Sequence, residues 1–96
     1  MIYTDLQEAL RVLGLGERAT LKEIKARHRK LVKHHHPDTG NSSDPEMIRK
    51  VNAAYRAVSD YVSEYCFSFA EDEFYEQNPE ERIWKQFADD PLWGKR

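Results

Sequence analysis

Three adjacent histidines followed by a proline and an aspartate, His34-His35-His36-Pro37-Asp38, are the residues of this chain best suited to chemistry. Imidazole can ligate a metal, move a proton or carry a charge near neutral pH, and a nearby carboxylate can orient it. Spacing argues against most of these uses. Neighbouring side chains on a helix diverge by about 100°, so the three rings cannot converge on one ion. His28 stands two turns earlier, about 10 Å along the axis, and no second cluster supplies ligands at zinc spacing. No metal or other cofactor is therefore expected. His36 and Asp38 flank a proline without a nucleophile motif, a glycine-rich phosphate loop or an acidic pair, so the chain is not expected to be an enzyme. Imidazolium is favoured at a helix C-terminus by the dipole, which accounts for His34 and His35 but not for the whole string.

The elements that would position this string are helical. Thr4 and Gln7 have the spacing of a capping box, and Leu6, Ala9, Leu10 and Leu13 then form one apolar face, ended by Gly14 and Gly16. Thr20 and Glu23 repeat the box for a second helix, in which Leu21, Ile24, His28, Leu31 and His35 share one side. Lys22, Arg29, Lys30 and Lys33 lie opposite that seam, with Lys25 and Arg27 on its flanks. Pro37 ends this helix, and "DTGNSSDP" is a loop. Asp44 or Ser43 caps a third helix with Pro45 in its first turn, and Ile48, Val51, Tyr55, Val58, Val62 and Tyr65 recur at spacings of three and four. The second and third helices should form an antiparallel hairpin with His36-Pro37-Asp38 at its tip, packed on the first. Beyond it, "FSFAEDEFY" suits a short helix and Asn78-Pro79 opens another. With no credible strand, the fold is expected to be all-α.

Composition narrows the function. The 96 residues suit one modest domain, and 33% of them are charged. Residues 22–36 carry six lysines and arginines against Glu23, whereas residues 60–96 carry ten acids against Arg82, Lys85, Lys95 and Arg96. A basic block this dense fits an acidic partner surface or nucleic acid. Groove binding by the basic helix is the alternative reading. Against it stand the absence of Asn and Gln from residues 21–36 and the phosphate-repelling acidic tail. No basic-then-apolar leader and no run of about 20 apolar residues is present. The lone Cys66, in "YCFSF", is expected to be a buried thiol in a reducing compartment, and the chain to be cytoplasmic and monomeric. Met1 and the "GKR" end fit a complete or nearly complete chain.

Residues 4–60 resemble the J-domain, the module by which DnaJ-type co-chaperones engage DnaK-type ATPase chaperones. The likeness rests on "LRVLGL", on "TLKEIKARHRKLVKHHHPD" with its His36-Pro37-Asp38 signature, and on "VNAAYRAVSD". It implies that Asp38 meets an arginine of the chaperone, that Pro37 fixes the turn, and that His36 braces the loop. It also implies that Lys25, Arg29, Lys30 and Lys33 face an acidic patch, and that the partner's ATP hydrolysis and client capture are stimulated. His28 and His35 stand where the family often has aromatic residues, and the first helix lacks the common tyrosine pair. The usual basic fourth helix is replaced by an acidic, aromatic extension, with no Gly/Phe-rich linker or CxxCxGxG repeats. The expected division is a J-domain over 1–66 and an extension over 67–96 packed on it. Its Phe67, Phe69, Phe74, Trp84, Phe87 and Trp93 would extend the core or dock a client or assembly, or its acids would lie over the basic helix and inhibit it.

Overall fold

The computed structural model describes residues 1–35 and 44–87. Among these the chain forms five helices and no strand: α1 (Tyr3–Leu13), α2 (Leu21–His35), α3 (Pro45–Ser63), α4 (Glu71–Gln77) and α5 (Pro79–Phe87). It divides into two compact units, Met1–Tyr65 and Cys66–Arg96.

In the first unit α1 and α2 both pack against α3, which is the longest of the five helices. The buried side chains are Ala9 and Leu13 of α1, Ile24 of α2, and Val51, Ala54 and Val58 of α3. This is the apolar periodicity of the sequence turned into a core: one stripe per helix, meeting at the centre. The contacts run in opposite chain directions. His28 meets Asn52 and Tyr55, while further along α2 His35 meets Asp44, so α2 and α3 are antiparallel. The seam is shorter than its periodicity suggests, for Leu21 in the first turn of α2 stays exposed.

Local chemistry sets the helix ends. At the start of α2 the capping box forms in full: Glu23 N–H donates to the Thr20 hydroxyl at 3.1 Å, and Thr20 N–H donates back to the Glu23 carboxylate at 3.1 Å. Asp44 caps α3 by accepting from Met47 N–H at 3.2 Å, and Pro45 occupies the first turn. The box expected at Thr4 does not form. Helix α1 starts at Tyr3 with Ile2 as its cap, and the carbonyl of Ile2 takes the amides of Asp5 and Leu6. The helix begins one residue before Thr4, so the Thr4 hydroxyl falls inside the first turn. Gly14 ends α1 at φ 70°, with its N–H on Arg11 O and that of Leu15 on Leu10 O, the paired bonds of a Schellman motif.

The second unit is a pair of short helices. Asn78 alone separates α4 from α5, and its side-chain amide turns back to donate to Phe74 O at 2.9 Å. Lys85 of α5 ion-pairs with Glu71 of α4, and its ammonium lies 5.1 Å from the Tyr75 ring centroid. One expectation is corrected here. Cys66 is exposed, because α3 has already ended at Ser63 and the thiol falls in non-helical chain beyond it. Phe67, Phe69, Phe74 and Trp84 are also exposed, and every fully buried side chain among the described residues comes from α1, α2 or α3. Helices of seven and nine residues offer too few inward positions to close a core of their own. Trp93 lies outside the described residues.

Candidate functional site

Helix α2 is the scaffold of the site, and its start is well fixed. The Thr20 backbone amide, then its hydroxyl, donates to Glu23 and holds that carboxyl below the usual carboxylate range. A carboxylate in the first turn also suits the positive end of the helix dipole. From there Lys22, Lys25, Arg29, Lys30 and Lys33 are all exposed. At 100° per residue, Lys22, Lys25, Arg29 and Lys33 lie within about 80° of one another, with Lys30 about 60° further round. Over the eleven residues from Lys22 to Lys33 the stripe runs about 16 Å toward the hairpin tip. None of these five cations is ion-paired among the described residues. Among the described residues the stripe therefore has no counter-ion and projects its charge into solvent.

Arg27 does not belong to this stripe. It is half-buried and turned toward α1, where its Nε donates to Leu13 O at 2.8 Å. The guanidinium packs so close over Gly14 that a Cβ there would sit 2.8 Å from Nη2. Arg27 thus satisfies the last carbonyl of α1 and ties the first helix to the second. The signal was present in the sequence: Arg27 lies about 60° from Ile24 on the helical wheel, nearer the seam than the basic face.

The histidines divide in the same way. The His28 ring lies flat on Tyr55, with centroids 3.9 Å apart and planes 6° from parallel, and its Nε2 is 2.9 Å from Asn52 Oδ1. It does the work of an aromatic residue in the seam and adds a polar tie to α3. At the C-terminal end His34 is exposed and His35 half-buried, their rings edge-on at 4.7 Å. The Nδ1 of His35 is buried and has no hydrogen-bond partner among the described residues. The carbonyl of His35 accepts from Asp44 N–H at 3.4 Å, which links the ends of α2 and α3 that bracket residues 36–43. His36, Pro37 and Asp38 themselves lie outside the described residues. Among the described residues no group of three His, Cys, Asp or Glu side chains is placed to hold a metal ion.

A helical hairpin with a basic stripe on one arm and His-Pro-Asp between the arms is matched by a family model. The DnaJ domain model covers residues 8–64. The chain belongs to the DnaJ-domain family. The match takes in all of α2 and α3 and most of α1. Among curated proteins the chain is similar to the chaperone protein DnaJ of Ureaplasma parvum, 47% identical over 51% of this chain and 13% of that protein. It is similar also to chaperone protein DnaJ of Rickettsia prowazekii, 36% identical over 74% of this chain and 20% of that protein. With the DnaJ of Deinococcus proteolyticus it shares 39% identity over 62% of this chain and 19% of that protein. The matched region is thus a fifth or less of each of these relatives. No solved structure matches the chain significantly. No helix among the described residues is long and apolar enough to cross a membrane.

Proposed function

We propose that this DnaJ domain is a co-chaperone module that docks on a DnaK-type ATPase chaperone and stimulates its ATP hydrolysis and client capture. One observation carries the reading: an exposed basic stripe, unneutralised among the described residues, runs along α2 directly toward His36-Pro37-Asp38. Lys25, Arg29, Lys30 and Lys33 lie along an acidic patch of the chaperone and draw it in from a distance. Long-range attraction of this kind raises the encounter rate more than it deepens the final complex. Asp38 then supplies a charge-assisted hydrogen bond to an arginine of the partner. Pro37 fixes the turn that aims it, and His36 braces the loop. The chain performs no chemistry itself; it favours one state of a two-state machine by binding that state better. The extension, residues 67–96, addresses a particular client or assembly.

The test is single-turnover ATP hydrolysis by a DnaK-type chaperone, with wild type beside Asp38→Asn. Stimulation by wild type that Asp38→Asn abolishes supports the reading. A folded wild-type protein that leaves the rate unchanged overturns it.

A further inference from the structure

A second surface lies at the other end of the hairpin. Between the first half of α1 and the last turns of α3 runs an open groove of about 360 Å³, bounded at one end by Leu15, Gly16, Glu17 and Ala19 of the α1–α2 loop. Its inner part is aliphatic, from Leu6, Leu10 and the buried Val58, and its outer part carries the exposed rings of Tyr3 and Tyr61. The volume is in the range of sites that take a small ligand or a few peptide side chains. Exposed Met1 and Ile2 precede α1, and exposed Leu21 opens α2.

One charged side chain lines this groove, Glu17. It makes no hydrogen bond or ion pair among the described residues. A lone carboxylate beside two tyrosine faces and an aliphatic base is complementary to one kind of group: a cation on an apolar stem. A lysine or arginine side chain can lay its methylenes along aliphatic surface, put its head near a carboxylate, and gain from an aromatic face. An acidic segment would meet Glu17 as a like charge.

We propose that this groove docks an apolar peptide segment carrying a lysine or arginine, with Glu17 as the charge partner and Tyr3 and Tyr61 as the aromatic sides. The groove is separate from the basic stripe. Ile24, which lines it, lies about 100° or more round α2 from each of the five stripe cations and eleven residues from His35, about 16 Å along the helix. A bound segment would leave the stripe and the hairpin tip open, so the inference does not rest on chaperone docking.

The experiment is fluorescence anisotropy on the full chain with a short labelled peptide of paired leucines around a central arginine. The same peptide with a central glutamate is its twin. Saturable binding of the arginine peptide, at least about threefold tighter than the twin, is the expected result for one partly exposed charge pair. Glu17→Lys should reverse that preference, and Tyr61→Ala should weaken both peptides. Both positions are exposed, and circular dichroism checks that the variants stay helical. Asp38→Asn should bind like wild type, which separates failure here from failure of the chaperone reading. No saturable binding, equal binding of the two peptides, or a preference that Glu17→Lys leaves unchanged would overturn the proposal. So would a concentration-dependent dimer in sedimentation that Tyr61→Ala dissolves, since the occupant would then be a second copy.

Discussion

The imidazole of His28 is stacked on the ring of Tyr55 while its Nε2 meets Asn52, so one side chain joins α2 to α3 by both packing and polarity. An aromatic pair of this kind is worth about 0.5–1.5 kcal/mol beyond the area it buries, and a hydrogen bond about as much again. His28→Ala loses both and should cost about 1–3 kcal/mol in urea unfolding. His28→Phe keeps the stack and releases the exposed Asn52 amide to water, so it should stay within about 1 kcal/mol of wild type. Equal losses in the two variants would show that the polar tie, not the stack, holds the seam.

Gly14 and Arg27 form the second joint. At φ 70° a residue with a Cβ is strained by about 1–2 kcal/mol, and here the new atom would also press on the guanidinium that caps Leu13 O. Gly14→Ala should therefore destabilise by at least about 1 kcal/mol. In an Arg27→Ala background the crowding is gone and only the backbone strain remains, so the two substitutions should be less than additive. A double-mutant cycle by thermal or urea unfolding measures that coupling.

Thr20 and Glu23 make a prediction in pH. Hydrogen bonds from Thr20 depress the Glu23 carboxyl below its ordinary value of 4.5 in the folded protein. A group depressed on folding adds stability above its unfolded value and loses it as pH falls through the folded one. The stability difference between wild type and Glu23→Gln should thus be present at neutral pH and shrink below about pH 4.5. Because Glu23 is fully exposed, the change will be small, and urea midpoints at several pH values are the measurement. A difference that stays constant down to pH 3 would assign the bond's value to shape rather than charge.

These joints show where the sequence was legible and where it was not. Apolar spacing located α1, α2 and α3 and the buried residues Leu13, Ile24, Val51 and Val58, because burial on a helix demands that period. Capping patterns were less informative. Thr4-Gln7 and Thr20-Glu23 have the same spacing, yet only the second forms, since an amide can find a backbone carbonyl as readily as a hydroxyl. The apolar neighbours of Cys66 misled. Phe69 is 93% exposed and Cys66 is exposed beside it, because apolar residues in chain without helical periodicity share no common inward face. At the site, the exposed lysines followed from the helical wheel. The wheel also set Arg27 nearer the seam, but its bond to Leu13 O did not follow from it, since that depends on the tertiary approach of α1, which no local pattern encodes.

The basic stripe yields the last prediction, in rates and salt. Lys25, Arg29 and Lys33 share one face of α2 and are not ion-paired among the described residues, so each contributes field to solvent. Reversing all three to Glu leaves the core residues Ile24, Val51 and Val58 untouched, and the helix content by circular dichroism should hold. If the stripe steers an acidic chaperone surface, the association rate should fall by about tenfold or more at low ionic strength, with a smaller change in dissociation. Raising the salt shortens the Debye length to about 8 Å at 0.15 M and about 3 Å at 1 M, so wild type and variant should converge. Asp38→Asn acts at contact range and should instead lower stimulation at every salt concentration. Stopped-flow association with a DnaK-type chaperone across a salt series separates the two. Parallel salt curves for wild type and the triple variant would mean that the lysines and arginine keep α2 solvated and do not recruit the partner.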